Sequence, residues 1–180
     1  MHTLLPKEFP SLLQQIHDPP KKLFIKGELP DQDTYTYLCI VGSRKHSTYG
    51  KEVCEHLVSG LAGYPICIVS GLALGIDAIA HQAALRHELP TIALPGSGLD
   101  DNALYPAQHL SLAKQIIKHG GALVSELQPQ TKGAPWTFPR RNRLMAGISQ
   151  AVLIIEAQEE SGTHITARLA LDYNRDVYAV

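Results

Sequence analysis

Tyr37-Leu38-Cys39-Ile40-Val41-Gly42-Ser43-Arg44-Lys45 opens as five apolar residues and closes on a glycine, a hydroxyl and two cations. An unbroken apolar run lacks the in/out alternation of a half-exposed sheet, so it predicts a strand covered on both faces. The pattern recurs. Pro65-Ile66-Cys67-Ile68-Val69 ends in Ser70-Gly71, and Pro90-Thr91-Ile92-Ala93-Leu94 ends in Pro95-Gly96-Ser97-Gly98. Ala122-Leu123-Val124-Ser125 opens a long connection, Ala151 to Ile155 runs into Glu156, and Asp176 to Val180 begins a sixth strand. Helices are expected from Ser47 or Thr48 to about Ala62, from Gly75 to His87, and from Ala107 to His119, where Gly120-Gly121 supplies the stop. Another opens at Ser161-Gly162-Thr163 and runs to Tyr173. Buried strands alternating with helices predict an α/β, Rossmann-like fold: a mostly parallel sheet with helices on both faces.

Residues 1–36 differ in kind. Pro6, Pro10, Pro19, Pro20 and Pro30 interrupt them, Leu12, Leu13 and Ile16 suggest a turn or two of helix, and Lys22 to Gly27 suggests a short edge strand whose lysines suit an edge. The expectation is an N-terminal lead-in (1–36) that packs on a main domain (37–180).

The 180 residues suffice for one domain, and 44% hydrophobic with 18% charged residues is ordinary globular composition. Net charge is −1, so any nucleic-acid binding must come from a local patch. Aromatic residues make up only 6%, which argues against an extended base-stacking surface. Cys39, Cys54 and Cys67 form no CxxC pair. Cys39 and Cys67 fall inside strands, as buried thiols of a reducing compartment would. No signal peptide and no membrane-length apolar run is evident, so the expected location is cytoplasmic.

In such sheets ligands bind at the carboxyl ends of the strands. Those ends are Gly42-Ser43-Arg44-Lys45, Ser70 to Gly75, Pro95 to Gly98, the connection from Ser125 to Arg143, and Glu156 to Thr163. Small residues let backbone N–H groups approach a phosphate, and each loop precedes a helix start, where anions are favoured. The connection from Ser125 carries Phe138-Pro139-Arg140-Arg141-Asn142-Arg143, three arginines within four positions. Arginine recognises phosphate through a planar, multi-donor group. The cluster reads either as a phosphate site or as a solvated basic helix face. Trp136 reads as a loop anchor, and Phe138 equally as an anchor or as a surface for a base. Neither the dinucleotide fingerprint nor a Walker loop is present. Asp77 and His81 share a helix face, which suits an oriented general base, but a helix-start carboxylate beside a histidine is the preferred reading. His109, His119 and His164 lack metal-ligand spacing with any cysteine or second histidine; no metal is expected, and no cofactor.

The ordered set of loops resembles the DNA-processing protein A family (DprA, also called Smf). The matching stretches are Val41 to Arg44 with Tyr49-Gly50, Ser70 to Asp77 with Ala80-His81, Gly98-Leu99-Asp100 with Tyr105-Pro106, and Ser125-Glu126. Phe138 to Arg143, Glu156, Ser161-Gly162-Thr163 and Thr166-Ala167 complete the set. The resemblance implies a single-stranded DNA binding protein of natural transformation and recombination, which protects incoming DNA and assists RecA loading, and which is not an enzyme. It implies DNA contacts at Arg44, Phe138, Arg140, Arg141, Asn142 and Arg143. Ser43, Gly71, Ser161, Gly162 and Thr163 are then the rest of a phosphate pocket. The chain departs from the family pattern by stopping at Val180, before the usual Pro-Gly and winged-helix-like domain. The expectation is therefore a domain truncated at its C-terminus, with the family's homodimer region incomplete. A different class remains open: a Rossmann-like nucleotide-binding protein or nucleoside-monophosphate phosphoribohydrolase. Pro95-Gly96-Ser97-Gly98-Leu99-Asp100-Asp101 lacks the Thr and Glu of that enzyme's glycine motif, although Glu126 or Glu156 remains available as a carboxylate.

Overall fold

The computed structural model describes residues 1–157 and 162–180. Within the main domain, β3 (Thr36–Gly42), α2 (Thr48–Gly60), β4 (Ile66–Ser70), α3 (Ile76–Arg86) and β5 (Thr91–Ala93) follow in order. They are succeeded by α4 (Leu110–Lys118), β6 (Ala122–Ser125), α5 (Thr137–Ile148), β7 (Ala151–Ile155), α6 (Gly162–Asp172) and β8 (Asp176–Ala179). The lead-in adds β1 (His2–Leu4), α1 (Ser11–Gln14) and β2 (Leu23–Gly27). The sheet order is β1-β2-β6-β5-β4-β3-β7-β8. From β6 to β8 every neighbouring pair is parallel, and β1 and β2 are added antiparallel.

The apolar runs explain the two covered faces. Cys39, Val41, Cys67, Val69, Ile92 and Val124 pack with Leu13 of α1 and Ile16 just after it, with Leu144 and Met145 of α5 and with Ala170 of α6. Their neighbours along the strands point the other way: Ile40, Ile68 and Ile155 meet Cys54 and Val58 of α2 and Ile76 and Ala80 of α3. Ala93 and Leu123 meet Leu112 and Ile116 of α4. All three cysteines are buried free thiols. The caps follow the sequence: Ser47 Oγ accepts from Gly50 N at 3.0 Å, and Gly121 N bonds Ile116 O at 2.9 Å beyond α4, with Gly120 at φ +79°.

The lead-in differs from its expectation. β2 is not an edge strand; it lies between β1 and β6, with Leu23 and Ile25 fully buried. Its lysine does not guard an edge either. Lys26 Nζ bends onto Leu99 O (3.0 Å) and Asp101 Oδ1 (2.7 Å), which leaves the stem along the sheet. No helix among the described residues is long and apolar enough to cross a membrane.

Candidate nucleic-acid interface

From β3 the chain builds the sheet outward through β4, β5 and β6, then returns to add β7 on the opposite side of β3. The loops leaving β3 and β7 therefore diverge, and a crevice opens at their carboxyl ends. It is a cleft of about 720 Å³, lined by Gly42 to Lys45, Ala73, Asp77, the start of α5 and the first turn of α6.

The β3 loop is tied down by its own hydroxyl. Ser43 Oγ donates to Lys45 O (2.9 Å) and accepts from Lys45 N (3.1 Å), while Ser43 N donates to Glu156 O (2.8 Å). This turn holds Arg44 and Lys45 outward, both exposed. The Arg44 guanidinium stands 5.2 Å over the Phe138 ring, and among the described residues no carboxylate pairs with it.

The arginine segment divides three ways. Successive residues of α5 point about 100° apart, so neighbours in sequence serve different surroundings. Arg140 is exposed and donates to Glu126 from Nε (3.0 Å) and Nη2 (3.3 Å). Arg143 is buried and donates to Glu126 Oε2, which Arg140 Nη2 also reaches, at 2.5 Å and to Asp18 O at 2.6 Å. Arg141, also buried, donates to Gly71 O (2.6 Å), Leu94 O and Asn142 Oδ1 (3.1 Å). It braces the ends of β4 and β5 beneath the cleft floor. Burial lowers its pKa, opposed by nearby Asp77. A Cβ on Gly71 would enter the Arg141 guanidinium, so the close approach requires glycine there.

Asn142 Nδ2 donates to Gly162 O (3.2 Å), which joins α5 to the start of α6. Gly162, Thr163, Ile165 and Thr166 face the cleft. Ser161 lies outside the described residues. Asp77 sits at the cleft floor, with Oδ2 accepting from Gly71 N (3.1 Å) and Ala73 N (3.3 Å). Burial raises its pKa, against the opposing pull of Arg141.

The structure thus brings Ser43, Arg44, Phe138, Arg141, Asn142, Gly162 and Thr163 around one cleft. Gly71 lies behind Arg141, while Arg140 and Arg143 turn toward Glu126. Sequence reasoning left Lys45, Asp77 and Thr166 out of the site. Thr166 follows Thr163 by one helical turn, and that spacing was the available signal. Trp136 is 58% exposed and does not anchor its loop. Thr137 does so instead, donating to Gly96 O at 2.5 Å.

Asp77 and His81 are not a catalytic dyad: Asp77 serves backbone N–H groups, and His81 Nδ1 meets Thr91 Oγ1 at 2.7 Å. The two carboxylates considered for hydrolysis are also engaged. Glu126 holds Arg140 and Arg143, and Glu156 accepts from Ser47 N (2.9 Å) and Ser47 Oγ (2.9 Å), bonds that lower its pKa. Among the described residues no group of three His, Cys, Asp or Glu is placed to hold a metal ion.

The family model for DNA recombination-mediator protein A matches residues 1–180. The DNA processing protein DprA of Bacillus subtilis is 40% identical over 174 residues, 97% of this chain and 58% of that protein. Solved structures agree. Streptococcus pneumoniae DprA superposes with a TM-score of 0.88 at 35% identity, over 99% of this chain and 62% of that one. Helicobacter pylori DNA processing protein A, described for its unique single-stranded DNA binding mode, gives 0.87 at 34% identity, over 99% of this chain and 79% of that one.

Proposed function

The chain belongs to the DNA recombination-mediator protein A family, and on that premise we propose that it binds single-stranded DNA in the cleft at the carboxyl edge of its sheet. One observation carries the reading: Arg44, exposed at the mouth and without a carboxylate partner among the described residues, stands beside Lys45 opposite the first turn of α6. A helix N-terminus offers unpaired N–H groups and a positive dipole end, so the cleft attracts phosphate from both sides. Arg44 and Lys45 are the phosphate contacts. Thr163, Gly162 and Ser43 shape the pocket, and Arg141, Asn142 and Gly71 fix its walls. Arg140 joins when a phosphate competes with Glu126 for its exposed guanidinium, and Arg143 acts through Glu126.

The wider role proposed with it is that of a cytoplasmic recombination mediator, not an enzyme, that shields incoming single strands and helps load RecA. The engagement of Glu126, Glu156 and His81 with the protein's own groups supports binding without catalysis.

A second reading has one observation in its favour: about 720 Å³ also accommodates a mononucleotide. Fluorescence anisotropy of labelled oligo-dT across a salt series, with AMP and duplex DNA as competitors, separates the two. Binding that weakens steeply with salt and resists AMP supports the single-strand reading. Efficient displacement by AMP favours the nucleotide reading.

A further inference from the structure

We infer that Tyr105 forms a nucleobase-stacking subsite beside the cleft, an inference that rests on the single-strand reading above. The two aromatic rings near Arg44 are not equivalent. Phe138 is half-buried: Arg44 covers it at 5.2 Å, and a Cβ on Gly96 would run into its ring from another side. Tyr105 meets Phe138 with ring centroids 5.4 Å apart and planes tilted by 60°, yet remains 47% exposed. Phe138 thus supports Tyr105 from the side, and the tyrosine offers the more accessible ring.

Tyr105 is also held in place at its backbone. Its backbone N donates to Ser97 Oγ at 3.0 Å, and Ser97 is fully buried. A prepositioned ring loses little conformational freedom on stacking. A small hollow continues from the cleft past Arg44 and Phe138 to Tyr105 and Leu74, itself 38% exposed. Arg44 and Phe138 line both the hollow and the main cleft. A cation followed by an apolar aromatic surface matches the alternation of phosphate and base along a strand. That continuity with the phosphate cleft favours a base over a protein side chain as the occupant. Stacking on an aromatic ring tolerates any base, so the subsite adds affinity without sequence preference.

The test compares oligo-dT with an abasic oligonucleotide of equal length on wild type, Tyr105→Ala and Tyr105→Phe, with thermal melts to verify folding. The expected result is that Tyr105→Ala weakens oligo-dT binding by about ten- to a hundredfold, the range of one base–aromatic stack. Tyr105→Phe should retain affinity, the abasic strand should bind both variants and wild type alike, and the salt slope should not change. Equal losses for oligo-dT and abasic strands, or no loss for either, would overturn the stacking subsite while leaving the cleft reading intact. Failure of wild type to bind oligo-dT at all would overturn both.

Discussion

Arg143→Met should cost far more stability than Arg140→Met. The side chains of Arg143 and Glu126 are 7% and 8% exposed, and the pair is 2.5 Å apart. Methionine keeps much of the volume and removes the charge, so Glu126 is left with Arg140 alone. Breaking a buried pair from one side costs about 3–5 kcal/mol, and the retained Arg140 contact places this case at the low end, about 3 kcal/mol. For a chain of 180 residues that lowers the melting temperature by about 6–12 °C. Arg140→Met removes a partner whose side chain is 55% exposed, and such a pair contributes about 0–1 kcal/mol. Urea unfolding of both variants and of Arg143→Met with Glu126→Gln supplies the measurement. The double variant should recover part of the loss, because no buried carboxylate is stranded. If Arg143→Met unfolds within about 0.5 kcal/mol of wild type, or if Arg140→Met costs as much, the buried bridge is not what orders this helix.

Gly71→Ala should destabilise by about 1–3 kcal/mol, because its methyl group meets the braced Arg141 guanidinium; urea midpoints check it. Arg44→Ala should leave the melting temperature unchanged and reduce the salt slope of oligo-dT binding by about one phosphate contact. Burial depresses the His81 pKa to about 3, below its ordinary 6.5, so the unfolded chain binds the proton first. Its contribution is intact above pH 6.5 and is lost progressively as pH falls toward 3. His81→Gln should therefore flatten the acid limb of stability against pH by about one proton, about 1.4 kcal/mol per pH unit, in unfolding titrations between those limits.

Much of the fold was legible because its signal is local. An apolar run such as Tyr37 to Val41 can satisfy both faces only between two helical layers, and the cap at Ser47 is a neighbouring hydroxyl. β2 was harder: Lys22 and Lys26 suggested an edge, whereas Lys26 is drawn to Asp101, 75 positions away. The directions of the arginines were hidden for the same reason. Arg143 finds Asp18 at a separation of 125 residues and Arg141 finds Gly71 at 70, and no window along α5 contains those partners. The sequence could place cations near a sheet edge, but which of them point at a ligand depends on where distant oxygens fall.

The same accounting supports placing the proposed phosphate site between the β3 loop and α6. A Rossmann-like edge offers several anion positions, one at each helix start. Here the protein's own groups fill several of the loops along that edge. The Glu156 carboxylate occupies the N-terminus of α2 through Ser47, and a Cβ on Gly50 would displace it. Asp77 takes the N–H groups of Gly71 and Ala73 before α3. The Gly96 loop is closed by the Phe138 ring and by Thr137. An incoming phosphate would have to evict a carboxylate or a ring at each of those places. At the β3 loop it meets Arg44 and Lys45, with no described carboxylate paired to Arg44. On the proposed reading, the site is set as much by the alternatives that are occupied as by the cations built into one of them.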